Sequence, residues 1–258
     1  MNAAAPKISV IINCAYGIRF LKEAIDSVFA QSFQDWELVF VDNCSTDGSA
    51  ELAQSYIATG KLRYVRTSER IPLYAARNIG LDHVTGEFVA FHDADDVMEP
   101  NMFLMLLESM RPGIAFVYGG YRYMDADGAF LQRKIQGRIR GDVGHRLLLQ
   151  SFVGVGCLLL RRSVTDSIRF DPSYNIIGDF EMWMRLSAEG YKCDYVDACL
   201  TRLRVHGNNT SLTQAHRWNI EERRFYRGFI SRYGLRYPEI LFYIIKAELS
   251  HILGRKRI

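Results

Sequence analysis

The chain has 258 residues, of which 48% are apolar and 24% charged. That composition excludes a disordered chain, a collagen-like repeat and a disulfide miniprotein, and a chain of this length buries a large core without staples. The formal net charge of +3 is too mild to point to nucleic acid. The cysteines Cys14, Cys44, Cys157, Cys193 and Cys199 form no C-x-x-C pair, so neither a zinc site nor a disulfide framework is expected; they read as reduced, buried thiols of a cytosolic protein. Met1–Lys7 lacks the basic and long apolar regions of a signal peptide. No run of about 18 apolar residues is present to span a membrane; the best candidate, Ile240–Leu253, is broken by Lys246, Glu248 and His251.

In chain order, Ile8–Ile12 is a β-branched run that reads as a buried strand. Phe20, Leu21, Ala24, Ile25, Val28 and Phe29 then recur at helical spacing. Glu37–Val41 is a second strand, and Ser45 or Thr46 is placed to cap a helix through Ala50, Leu52, Ala53 and Ile57. Leu62–Val65, Glu87–Phe91 and Ile114–Tyr118 are further strands, separated by helices at Leu73–Leu81 after Pro72 and at Met102–Met110 after Pro100. This alternation predicts a mostly parallel sheet flanked by helices, with ligands outside the carboxyl ends of the strands.

Beyond Tyr118 the pattern changes. Tyr121–Met124 and Phe130–Lys134 flank Asp127-Gly128, a hairpin signal. Gln136–Gly144 reads as a loop, and Phe152–Leu160 as a return to the sheet. Asp179–Glu189 is a helix, Cys193–Val196 and Leu203–Val205 are strand-like, and Gly207–Gln214 is a polar loop. From Ala215 the chain is helical, punctuated by Gly234 and Pro238. The expected organisation is a catalytic domain over 1–214, with halves 1–120 and 121–214, and a C-terminal helical extension over 215–258.

The strongest chemical signal is His92-Asp93-Ala94-Asp95-Asp96, directly after a strand. Carboxylates this dense repel one another unless a cation or water neutralises them, and a hard divalent ion such as Mg²⁺ or Mn²⁺ suits them. A plain acidic turn capping the next helix is the competing explanation. Asp42-Asn43-Cys44-Ser45-Thr46-Asp47-Gly48 also follows a strand, so both turns belong on one rim, where side-chain acceptors can read a base or ribose edge. His92 is expected to point away by strand alternation. No G-x-G-x-x-G follows the first strand and no phosphate-binding G-x-x-x-x-G-K-[ST] occurs, which argues against a dinucleotide enzyme or a P-loop ATPase.

These pieces, in this order, resemble the nucleotide-sugar half of glycosyltransferase family 2, inverting enzymes with a GT-A fold. The resemblance runs through Ser9–Cys14, Phe20–Val28, Gln31–Leu38, Val41–Gly48, Ala76–Leu81, Gly86–Phe91 and Asp93–Asp96, and more loosely through Gly178–Trp183 and Arg204–Ser211. It implies that Asn13, Cys14, Asp42 and Asn43 border the nucleoside, that Arg77 lies near the donor diphosphate, and that Asp93 and Ala94 face the ribose or sugar. It implies Asp95 as the ligand of Mn²⁺ or Mg²⁺, with Asp93 and His206 as further candidates, and Asp179 as the general base. Glu181 is the backup base, although two residues on it points to another side of a helix. Three positions depart from the family pattern: Ala15 stands where an aromatic is common, with Tyr16 next; Asn43 replaces a second Asp; and Gly178 replaces a Glu before the base. Trp183, Tyr121 and Tyr123 are candidates for stacking on an acceptor sugar, with core packing as the alternative.

The resemblance therefore implies a hexosyl- or N-acetylhexosaminyl-transferase that moves a sugar from a nucleotide-diphospho-sugar, UDP-linked by expectation, to a surface-glycan or lipid-linked acceptor. Rival readings are a non-catalytic nucleotide-sugar-binding member and a nucleotidyltransferase. The stripe Leu241, Ile245, Leu249 and Ile252, followed by Arg255-Lys256-Arg257, fits peripheral contact with the inner face of a membrane. Docking on the domain itself, or on a second copy in a homodimer, fits it equally.

Overall fold

The computed structural model describes residues 6–134, 138–149, 153–214 and 217–252. The expectations for residues 1–5, for the start of the 136–144 loop, for Phe152 and Ala215, and for the basic end 253–258 lie outside the described residues. The first half contains β1 (Ile8–Cys14), α1 (Ile18–Phe29), β2 (Trp36–Asp42), α2 (Ser49–Gln54), β3 (Leu62–Arg66), α3 (Leu73–Leu81) and β4 (Phe88–Asp93). Then come β5 (Val97–Met98), α4 (Met102–Ser109), β6 (Ile114–Met124), β7 (Phe130–Lys134), α5 (Gly144–Leu149), β8 (Leu158–Arg161), α6 (Arg162–Ser167) and α7 (Gly178–Ala188). The chain continues through β9 (Lys192–Arg204), α8 (Thr210–Thr213), α9 (Trp218–Tyr233) and α10 (Ile240–Ile252).

The strands form a nine-stranded sheet of order β3-β2-β1-β4-β8-β6-β9-β5, with β7 on β6. Strands β3, β2, β1 and β4 are parallel, as the alternation predicts. The remainder adds antiparallel pairings to a sheet that stays mostly parallel, as expected. Strand β8 runs antiparallel between β4 and β6, while β6 and β9 are parallel. A buried apolar run such as Ile114–Tyr118 reads the same in either direction, so periodicity could not assign it. Strand β6 joins two expected strands, and β9 joins Cys193–Val196 to the segment before His206. Helix α2 begins at Ser49, after Gly48 in the left-handed region at φ 95°. Its first amide is held by Asp47 Oδ1 at 3.1 Å, so neither Ser45 nor Thr46 caps it.

Successive strand residues face opposite layers. Ile11, Val39, Phe91 and Phe116 pack beneath α3, α5, α7, α9 and α10, and Val10, Ile12, Phe40 and Val117 pack beneath α1 and α4. Each fully buried aliphatic chain of this kind contributes roughly 1.5–3 kcal/mol relative to exposure. The C-terminal helices share this core: Phe225, Tyr226, Phe229, Tyr237, Ile240, Tyr243 and Ala247 are buried in the same cluster as α3 and α7. The Tyr237 hydroxyl donates to the Asp142 carboxylate at 3.0 Å and lies 3.0 Å from Ser187 Oγ, tying the α9–α10 connection to α5 and α7. Among the described residues no helix is long and apolar enough to cross a membrane.

Candidate active site

Pairing register brings the carboxyl ends of three strands level. Asn13 lies opposite Asp93 across β1 and β4, and Cys14 lies opposite Asp42 across β1 and β2. The two acidic turns therefore share one rim, as expected.

The three carboxylates after β4 have separate partners. Asp93 is partly exposed and accepts from Arg77 Nη2 at 2.7 Å. Asp95 Oδ2 is 2.9 Å from His206 Nε2 and accepts from Asn209 Nδ2 at 3.3 Å. Asp96 is buried and turned inward, where Oδ1 accepts the Arg204 amide at 2.8 Å. Burial, with the neighbouring Asp95 and Asp93 charges, holds Asp96 well above the usual carboxylate range; burial and then Asp93 also raise Asp95. Asp96 is thus a structural acceptor, and only Asp93 and Asp95 face the rim. His92 is buried with Nε2 3.3 Å from Ser27 Oγ, and burial pushes its imidazole down to about 4. It points away from the acidic rim, as alternation predicts.

Arg204, carried by β9, is a residue whose role sequence reasoning missed. Its Nε donates to the Asp95 carbonyl at 2.9 Å and its Nη1 to the Ala126 carbonyl at 2.9 Å. Nη2 pairs with Glu23, and the guanidinium lies over the Phe20 ring at 4.6 Å. His206 also packs on Phe20, with ring centroids 4.9 Å apart. One buried arginine thus fixes the backbone at Asp95, and one aromatic ring supports both Arg204 and His206. The position of Arg204 two residues before His206 was the available signal.

Asp95 and His206 converge as a carboxylate and an imidazole sharing a hydrogen bond, an arrangement whose proton a cation can replace. Among the described residues no group of three or more His, Cys, Asp or Glu is placed to hold a metal. Arg77 is buried, with its guanidinium 5.3 Å from the Tyr74 ring centroid and 5.7 Å from that of Phe170. Its Nε has no partner among the described residues, leaving a charged donor unused beside Asp93.

Asp179 is partly buried in the first turn of α7 and lines, with Asp93, Tyr121, residues 153–157 and Leu203, a cavity of about 200 Å³. Oδ1 accepts its neighbour's amide, Phe180 N, at 2.8 Å and lies 3.3 Å from the Tyr74 hydroxyl. Burial raises Asp179 above the usual carboxylate range against the opposing charge of Arg77. Burial and Asp179 hold the Tyr74 phenol well above its own range, so it remains a donor. Tyr74 was not among the sequence candidates, because one tyrosine after Pro72 carries no pattern.

Glu181, the expected backup base, forms a bidentate pair with Arg185, at 2.5 and 2.8 Å, and Arg185 in turn donates to the Arg169 carbonyl. It does not line the cavity. Trp183 is fully buried and stacked on Phe116 at 5.7 Å, so it is core and meets no acceptor. Tyr121 does line the cavity, with Tyr123 edge-on to it at 5.5 Å.

At the end of β2, Asp42 is fully buried and accepts from the Ser45 amide at 2.8 Å, Tyr64 at 2.5 Å and Arg66 at 2.7 Å. The Cys14 thiol is buried and pushed up to about 11 by burial, so only the backbone of Cys14 reaches the rim. Asn13 and Ala94 stand partly exposed at the strand ends. The Asn43 amide is a clasp: Nδ2 donates to the Ile71 carbonyl at 2.8 Å and Oδ1 accepts the Ile71 amide at 2.9 Å. Tyr16 is half exposed at φ 62°, with the Arg70 guanidinium 4.9 Å from its ring centroid.

A curled α/β sheet with a carboxylate rim at the parallel strand ends, and a cavity-lining carboxylate on a later helix, defines the GT-A class of glycosyltransferases. The family model for glycosyl transferase family 2 matches residues 9–169, and the chain belongs to that family. It is similar to TuaG of Bacillus subtilis, a glycosyltransferase named for teichuronic acid biosynthesis, with 27% identity over 223 residues and 86% of each chain covered. Its fold matches residues 1–349 of Staphylococcus aureus TarS in complex with UDP-GlcNAc, at TM-score 0.74 and 16% identity over 95% of this chain and 73% of that one. It also matches the mannosyltransferase PcManGT of Pyrobaculum calidifontis, in complex with GDP-Man and Mn²⁺, at TM-score 0.68 and 19% identity over 96% and 70%.

Proposed function

We propose that the chain transfers a sugar from a UDP-linked donor to a hydroxyl of a cell-surface polysaccharide or its lipid-linked precursor, with inversion at the anomeric carbon. The observation that carries this reading is that Asp93, on the donor rim, and Asp179, on α7, line one cavity. Asp179 takes the proton of the acceptor hydroxyl as that oxygen attacks in line. Its raised proton affinity, a product of burial, suits a base working near neutrality. Arg77, held by Asp93 and lying beside the Tyr74 and Phe170 rings, shares the charge that grows on the leaving diphosphate. Asp95 and His206 would hold the divalent ion, which when bound supplies Lewis-acid stabilisation of that diphosphate.

The UDP preference and the surface-polysaccharide acceptor take their support from TarS and TuaG respectively. Helix α10 turns Leu241, Phe242 and Ile245 outward while Ile240, Tyr243 and Ala247 face the core. We assign that outer face to the inner surface of a membrane, where a lipid-linked acceptor is presented. The non-catalytic alternative loses much of its motivation, because Asn43 and Gly178 have structural reasons: Asn43 clasps Ile71, and Gly178 makes room for Tyr74.

The test is turnover of a UDP-sugar panel with polyprenyl-linked glycan acceptors, measuring the nucleotide released. Release of UDP, lost in Asp179→Asn, supports the reading. Release of pyrophosphate, or UDP binding without turnover on any acceptor, overturns it.

A further inference from the structure

The segment leading into α7 is held from the C-terminal side of the chain. Glu221, on α9 and only 4% exposed, accepts three successive backbone amides: Asn175 at 2.9 Å, Ile176 at 2.9 Å and Ile177 at 3.2 Å. One turn further along α9, Phe225 packs edge-on to Phe180 with centroids 5.0 Å apart. Residues four apart share a helix face, so α9 grips the chain on both sides of Asp179 with a single face. The Ile176 carbonyl lies 3.2 Å from the Tyr74 hydroxyl, so the backbone at Ile176 is held through both its amide and its carbonyl. The amides of this turn precede a helix and have no intrahelical partner. A buried carboxylate receiving three of them is a strong, directional clamp.

We infer that Glu221 is a positioning residue for the reaction: it fixes the Asn175–Ile177 turn and thereby aims the Asp179 carboxylate into the cavity. The C-terminal helices are then part of the active-site scaffold. This inference rests on the reading of Asp179 as the base. A base must be held to within a fraction of an ångström, and misplacement by about 1 Å can cost on the order of 100-fold in rate.

The experiment compares wild type, Glu221→Gln, Asp179→Asn and the double variant. It measures kcat, donor KM, UDP affinity by calorimetry and backbone amide exchange. Glutamine keeps the size of Glu221 but presents one acceptor oxygen and an NH₂ that faces a donor. Expected for Glu221→Gln are UDP affinity and donor KM near wild type, a kcat lower by about 10- to 100-fold, and faster exchange at 175–177 with β4 still protected. In the Asp179→Asn background the same change should cost nothing further, because its effect runs through Asp179. Unchanged kcat in Glu221→Gln, equal losses in both backgrounds, or a global loss of exchange protection overturns the inference. Full activity of Asp179→Asn instead overturns the base assignment beneath it, so the two failures are distinguishable.

Discussion

The ring of Tyr74 occupies the space that a side chain at position 178 would need: a Cβ on Gly178 would stand 2.5 Å from Cε2 and 2.6 Å from Cδ2 of Tyr74. The glycine is therefore a consequence of the tyrosine that reaches Asp179 from α3. Gly178→Ala should destabilise the fold by about 1–3 kcal/mol, the usual cost of overpacking, since a fully enclosed ring has nowhere to move. It should also lower kcat more than it raises donor KM, because Asp179 is the next residue. Thermal denaturation and steady-state kinetics check both. Combined with Tyr74→Ala, which vacates the space, it should cost less than the sum of the two single losses.

Tyr74→Phe keeps the ring and removes the donor 3.3 Å from Asp179. That donor favours the ionised carboxylate, so its loss raises a proton affinity already lifted by burial. The base works only when ionised, so activity falls as pH falls through its raised value. The acid limb of the kcat profile should therefore move to higher pH in the variant, with roughly a 2- to 10-fold loss on that limb and little change on the alkaline side. A uniform loss at all pH values would contradict the contact.

Asp179 and Glu181, two residues apart, should separate cleanly. Asp179→Asn removes the base and should lower kcat by ~10²-fold or more. Glu181→Gln weakens the pair with Arg185 and should cost about 1–3 kcal/mol of stability. Its kcat should stay within roughly threefold of wild type, since it meets no substrate. Denaturant unfolding alongside kinetics distinguishes the two effects, and the opposite pattern would return the base role to Glu181.

Asn43→Asp restores the residue common in the family and should harm this chain. The carboxylate cannot donate to the Ile71 carbonyl, and it adds a charge beside the buried Asp42. A loss of about 1–3 kcal/mol is expected, with faster amide exchange over residues 67–71.

What could be read from the sequence followed from local rules. The parallel strands of the first half and the inward turn of His92 follow from alternation and spacing, as does the meeting of the Asp42 and Asp93 turns on one rim. The placement of β8 antiparallel between β4 and β6 does not, because direction leaves no mark on a run buried on both faces. Nor does the pairing of Glu221 with Ile176, which joins residues far apart in the chain and depends on how α9 docks. Glu181 was separable from Asp179 by helical geometry alone, and its partner Arg185 is visible at i+4. Tyr74 and Arg204 act through contacts that only the folded chain makes.

The central claim is that Asp95 and His206 form a cation-dependent donor site. It is tested most directly by calorimetric titration of UDP into the full chain, with Mn²⁺ or with EDTA, on wild type and Asp95→Ala. The account predicts binding with Mn²⁺ that weakens at least about tenfold with EDTA and is lost in Asp95→Ala, whose unfolding transition stays cooperative. UDP binding indifferent to both EDTA and the substitution would contradict the cation site, and absence of UDP binding under every condition, with GDP binding in its place, would contradict the donor class.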